Sequence, residues 1–330
     1  MSQLVTKCQV CKSLVDEEDL FCPGCGCEIP PHHATTDTER SMRDQGTIVA
    51  RHHFECTGCG ASMSYDPSAQ TLRCPFCGNE KLDRGKDQRV LKPSGVIAFT
   101  ITKDQALAQL SVFFKRGFWR PDDLAQQAKI TQLTAVYVPY WTFSARTYTN
   151  WTADSSATPS HARGNWLPMS GEHRGSYRGI LVGASGVLTP AETAAICPYD
   201  LSKLVDESAV DLENAVYEPF QVQRKYARPL AQQAIDNLEA QACRAYVPGE
   251  CRNMKVNVRL EGLAGEPILL PVWIMAYRYG DEVHRFLVNG QSGRCTGTVP
   301  TSKTKVAVAF GIALLVVLAI VVILFFLSRM

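Results

Sequence analysis

The sequence predicts an α+β protein: two small N-terminal four-cysteine zinc ribbons, a mixed α/β cytosolic body and one C-terminal transmembrane helix. Three observations carry this. Nine of the thirteen cysteines fall in the first 77 residues, most of them in C-x-x-C pairs. The middle of the chain mixes helix-period and strand-period apolar patterns. The far end holds an apolar run of 22 residues, Val306 to Leu327, without a charge. Composition fits a globular chain of 330 residues, with 45% apolar and 20% charged side chains. A net charge of +2 gives no overall pull toward nucleic acid or an anionic surface.

The first ribbon is read over residues 1–30, from Cys8, Cys11, Cys22 and Cys25. The second is read over 51–80, from Cys56, Cys59, Cys74 and Cys77. Each C-x-x-C lets two thiolates reach one ion from a tight turn, and two such turns close a tetrahedral sulfur shell. Gly26, Gly60 and Gly78 follow the second cysteine of a pair, where a left-handed backbone is often needed. Four cysteines per site predict two structural Zn2+ ions, since catalytic zinc keeps one position open. Cys27, His32, His33, His52 and His53 lie near enough in sequence to stand as alternative ligands. Redox use of the C-x-x-C pairs would need a βαβ pattern, which is absent.

Polar residues 31–50 read as a linker, and a folded body is expected over 94–300. Thr102 and Gln105 form a capping box for a helix over 103–115. A short helix should begin at Pro121. Strands are expected over 133–151, 176–188 and 254–260, and mostly helix over 200–246, broken or begun at Pro229. A hairpin should turn through Asn289–Gly293. Val138-Pro-Tyr-Trp141 and Leu270-Pro-Val-Trp273 share a Φ-P-Φ-W pattern, which points to a duplicated αβ unit.

The run 306–327 as a helix would be about 33 Å long, enough for a hydrocarbon core of about 30 Å. Lys303 and Lys305 precede it, so the positive-inside bias keeps the bulk of the chain cytoplasmic. Reducing conditions there also suit zinc-bound thiols.

Residues 1–90 hold ten Lys and Arg against thirteen Asp and Glu, a net of −3. Thiolate-rich zinc sites make that region more acidic still. Phosphate binding needs the opposite sign, which argues against a nucleic-acid-binding regulator. An enzyme would have to use Cys197, Cys243, Cys251, Cys295, His161, His173 or His284. No G-x-S-x-G, H-E-x-x-H or phosphate-loop motif accompanies them, and His161 and His173 fall in a Gly-, Ser- and Pro-rich stretch that reads as a solvated loop. No small-molecule substrate is evident, and no enzyme is expected.

The knuckles C-P-F-C-G-N, then Y-V-P-Y-W, L-P-V-W-I and F-L-V-N-G-Q-S-G before an apolar end, resemble bacterial membrane-associated proteins described as TFIIB-type zinc-ribbon-containing. Some of these carry the label primosomal protein N′ helicase-like, which the missing phosphate loop does not support here. The resemblance implies a single-pass inner-membrane protein acting as a zinc-ribbon adaptor in envelope maintenance. Its implied cytosolic protein partners are of the phage-shock or SPFH kind.

Overall fold

The computed structural model describes residues 5–7, 14–16, 47–50, 53–64, 73–85, 88–115, 120–121, 123–124, 129–130, 133–160, 163–212, 215–280 and 282–327. Two short strands, β1 (Val5–Lys7) and β2 (Leu14–Asp16), pair antiparallel. Then come β3 (Thr47–Ala50), β4 (His53–Cys56), β5 (Ser62–Ser64), β6 (Leu82–Arg84) and β7 (Gln88–Leu91). Strands β5-β4-β6 form a three-stranded sheet, and β3 pairs β7.

The body is built on one seven-stranded sheet. Its strands are β8 (Gly95–Val96), β9 (Lys129–Ile130), β10 (Thr134–Ser155), β11 (Leu167–Gly183), β12 (Cys251–Tyr279), β13 (Glu282–Asn289) and β14 (Cys295–Gly297). The order is β11-β10-β12-β13-β14, with β8 and β9 also on β12. Among the described residues, four α-helices accompany it: α1 (Lys103–Lys115), α2 (Pro190–Ala195), α3 (Arg224–Arg244) and α4 (Lys303–Leu327).

Two expectations are corrected here. The body is mostly β-sheet with few helices, not a mixed α/β domain. Over 200–246 only α3 is a long helix, because Asp200 and Asp206 cap single 3-10 turns instead of starting α-helices. The strand expected over 254–260 runs through all of β12, carried past Gly262 and Gly265 by its ladder to β10. The second correction concerns the anchor. The apolar run does form α4. Among the described residues no helix is long and apolar enough to cross a membrane. The transmembrane helix and the inner-membrane location are withdrawn. Phe310 and Leu315, at 75% and 70% exposure, lie open on α4.

Helix α1 starts as its capping box requires: Thr102 N–H donates to Gln105 Oε1 at 2.9 Å, and Gln105 N–H to Thr102 Oγ1 at 3.3 Å. Its stripe Ala106, Leu110 and Phe113 packs on Met275, Tyr277 and Phe286. Helix α3 buries Ala227, Ala231, Ile235, Glu239 and Cys243, one residue per turn, and keeps Pro229 inside without breaking. The short helix expected at Pro121 falls mostly outside the described residues.

The two Φ-P-Φ-W segments lie side by side, Val138 opposite Leu270, and repeat one set of bonds. Pro139 O accepts from Ala184 N–H at 2.9 Å, and Pro271 O from Gly290 N–H at 2.8 Å. Trp141 donates to Val222 O just before α3, and Trp273 to Ile101 O just before α1, each at 2.8 Å. Phe220 stands against Trp141 as Phe99 stands against Trp273. Tyr217 forms a parallel bridge to Tyr137 as Val96 pairs in parallel with Leu269. A local pseudo-twofold thus relates β10, β11 and α3 to β12, β13 and α1.

Candidate metal centre

Strand β4 ends on Cys56, and the chain folds back at once. Gly60 N–H donates to Cys56 O at 2.8 Å, and Cys56 N–H donates to Ala61 O at 2.8 Å. The second turn repeats this: Gly78 N–H to Cys74 O at 2.8 Å, and Cys74 N–H to Asn79 O at 2.9 Å. Both closures need a left-handed residue, and Gly60 and Gly78 supply it at φ 70° and 76°. Asn79 Oδ1 accepts from Lys81 N–H at 3.0 Å, which fixes the exit of the second turn.

The four thiols converge. Cys56 Sγ lies 3.5 Å from Cys77 Sγ, and Cys59 Sγ 3.6 Å from Cys74 Sγ. All four sulfurs lie within 4.8 Å of one another. A sulfur tetrahedron with bonds of about 2.3 Å has edges of about 3.8 Å, so the thiols already stand close to a metal's demand. Cys56 and Cys74 are buried, and Cys59 is exposed.

The thiols cannot all ionise alone. The thiols of Cys59 and Cys74 push Cys77 down to about 2. The thiols of Cys59 and Cys77, with burial, hold Cys74 far above the usual thiol range. The Cys74 thiol pulls Cys59 down, but Cys77 and burial outweigh it and push it up to about 12. A four-sulfur metal site needs its thiols ionised together, and a divalent cation supplies the charge that makes this possible. The N–H groups of Ala61 and Asn79 point at Cys59 and Cys77, one from each turn, and steady their charged forms.

The site is built into the body. Ala61, Met63, Cys74 and Phe76 share one buried cluster with Val136, Val138, Tyr140 and Ile268 of the large sheet. Ser64 N–H donates to Tyr217 O at 2.9 Å, and Tyr217 itself bridges to Tyr137.

His53 is not among the converging groups; it is buried, with Nε2 3.0 Å from Ser62 Oγ. Cys8, Cys11, Cys22, Cys25, Cys27, His32, His33 and His52 lie outside the described residues. The hairpin β1–β2 flanks Cys8 and Cys11 in sequence as β4 and β5 flank Cys56 and Cys59.

Of the other candidates, Cys197 is half-buried, donates to Thr193 O, and is pushed up to about 11 by burial. His284 is buried against Tyr277, and burial lowers its pKa. His161 lies outside the described residues. His173, expected on a solvated loop, is instead on β11, with Nδ1 2.7 Å from Glu239 Oε2. Sequence reasoning missed Glu239, whose only signal was its place on the i, i+4 stripe of α3.

Against known proteins, no family model matches the chain, and no solved structure matches it. The chain is similar to the uncharacterized protein YdjG of Bacillus subtilis (strain 168), at 26% identity over 321 residues, covering 79% of this chain and 94% of that protein.

Proposed function

We propose that this chain is a non-enzymatic adaptor, a zinc-stabilised β-sheet body that presents a protein-binding surface. Cys56, Cys59, Cys74 and Cys77 hold one structural Zn2+. Cys8, Cys11, Cys22 and Cys25 hold another. One observation carries the reading: the four described thiols close on one another from two equivalent turns and leave no ligand position for chemistry. The outward tip of that centre, Thr57 to Gly60, is exposed and free for a partner. The net of −3 over residues 1–90 favours a protein over a nucleic acid as that partner. The resemblance to TFIIB-type zinc-ribbon proteins supports the same assignment.

The test has two parts. Zinc is counted in the reduced full chain beside Cys8→Ser and Cys56→Ser, with one ion fewer expected in each variant. A photoreactive residue at Thr57 is then compared in cells with one at Arg259. The reading requires a discrete protein cross-link from position 57 that Cys59→Ser abolishes. Unchanged zinc in both variants, or cross-links to nucleic acid alone, would overturn it.

A further inference from the structure

The two halves of the sheet differ in one place. Helix α1 has 13 residues and its counterpart α3 has 21. Hairpin β12–β13 turns at Gly280, whereas β10 and β11 run on together to the pair Ser155 and Leu167. The extra turns of α3 cover the extra hairpin, and there they bury Glu239 and Cys243 over Thr147, Thr149 and His173.

A carboxylate inside such a stripe is costly unless it is matched. Thr147 Oγ1 donates to Glu239 Oε1 in a short hydrogen bond and accepts from Gly175 N–H at 3.0 Å. His173 Nδ1 holds the other oxygen at 2.7 Å. A Cβ at position 175 would collide with Glu239 Oε1 and Thr147 Oγ1, so the glycine keeps room for the carboxylate. Burial pushes the Glu239 carboxyl up, but hydrogen bonds from Thr147 and His173, with Tyr177 beside them, outweigh it and hold the group below its ordinary range. Cys243 lies one turn further on. The donor atoms of His173, Glu239 and Cys243 all lie within 4.8 Å of one another. Thr149, paired opposite His173 and 0% exposed, faces the carboxylate with an Oγ1 that makes no hydrogen bond of ordinary geometry.

We propose that His173, Glu239 and Cys243 form a metal centre, distinct from the four-cysteine site, for a zinc-type divalent transition ion. One imidazole nitrogen, one carboxylate oxygen and one thiolate suit zinc or cobalt and not magnesium or calcium, which take oxygen ligands. Three protein ligands leave the fourth position to water or an exchangeable group. Tetrahedral N and O ligands stand about 3.4 Å apart, so the His173–Glu239 contact opens by less than an ångström on binding. His173, 16% exposed beneath the Tyr246 ring, is the side chain that can swing to admit the ion. Binding displaces the thiol proton of Cys243, so affinity falls as pH is lowered.

The experiment uses the full reduced chain. Metal content is measured by elemental analysis in the parent, His173→Asn and Cys243→Ala, each checked for a cooperative melt. The zinc-loaded chain is then titrated with Co2+. The proposal expects one ion fewer in both variants and a cobalt–thiolate charge-transfer band of single-thiolate strength in the parent, lost in Cys243→Ala. If Cys243→Ala does not fold, the partly exposed His173→Asn carries the comparison. Equal metal content in the parent and His173→Asn, with no thiolate band in the parent, would overturn the proposal and leave a buried His–Glu ion pair only. The two ribbon sites are unchanged in these variants, so this result is independent of the adaptor reading.

Discussion

Replacing Phe76 by alanine tests whether the four-cysteine centre is part of the body or a module beside it. Phe76 sits between the second pair of cysteines, is 0% exposed, and belongs to the cluster that includes Val136, Tyr140 and Ile268. Removing a fully buried phenylalanine costs about 3–5 kcal/mol when its neighbours cannot close the gap. Here one side of the gap is pinned by two cysteine turns and the other by the central strands, so the upper half of that range applies. Typical domains have only about 5–15 kcal/mol in hand, so the shift is large against the whole. The assay is urea unfolding followed by far-UV circular dichroism and by the indoles of Trp141 and Trp273, which report the body. A lower midpoint with unchanged slope is expected, with both probes moving together. An unchanged midpoint on the tryptophan probe, or a change below about 0.5 kcal/mol, would refute the idea that the centre and the sheet share a core.

Three further outcomes follow from single residues. Burial pushes the fully buried Glu218 up to about 7 in the folded chain, while an unfolded carboxyl titrates near 4.5. Its ionisation therefore opposes folding, with the loss accruing as pH rises from about 4.5 to about 7. Glu218→Gln should gain about 3 kcal/mol over the parent at pH 8 and almost nothing at pH 4, and parallel stability–pH curves would exclude this. Gly175→Ala should cost about 2–4 kcal/mol by forcing Thr147 and Glu239 apart, and a melt within error of the parent would remove Gly175 from that role. Trp141→Phe and Trp273→Phe each orphan the carbonyl before a helix; matched losses of about 1–3 kcal/mol are expected in thermal melts, and a loss from only one would break the equivalence of the two halves.

Local signals were legible where the cause is local. The Thr102–Gln105 box starts α1 as read, because both hydrogen bonds lie within one turn. The glycines after Cys59 and Cys77 take the left-handed backbone expected of them. The second cysteine cluster converges because each turn needs only four residues to aim two thiols. What failed was non-local. Gly171 and Gly175 made the stretch ahead of the strand expected from Ser176 look like a loop, and Gly179 stands inside that expected strand. Each instead makes room for a side chain from another element: Trp151, Glu239 and Leu201. The sequence shows a glycine but not the neighbour that requires it. The same blindness hid Glu239, since a charge on an amphipathic helix reads as solvent-facing until its partners on a distant strand are known. The apolar run 306–327 was legible as helix and no further.

The recurring proline has a topological cause. Proline is disfavoured in central strands because it removes a ladder donor. A strand residue projects its N–H and C=O to the same side, so the carbonyls of Pro139 and Pro271 show where the missing donors would point. Each faces outward, to Ala184 and to Gly290. These are the points where the outer neighbour is exchanged. Before Pro139, β10 meets Tyr217 in parallel, and after it β10 pairs antiparallel with β11. Before Pro271, β12 meets β8 in parallel, and after it β12 pairs antiparallel with β13. At such a junction neither departing nor arriving strand offers a second acceptor, so a residue without an N–H is the one that leaves nothing unpaired. The tryptophan two residues on then ties the strand to the carbonyl before the helix of its own half. Φ-P-Φ-W is therefore the sequence trace of a strand exchange locked to a helix start. Its two copies sit face to face, Val138 opposite Leu270, because β10 and β12 are the paired central strands of the two halves.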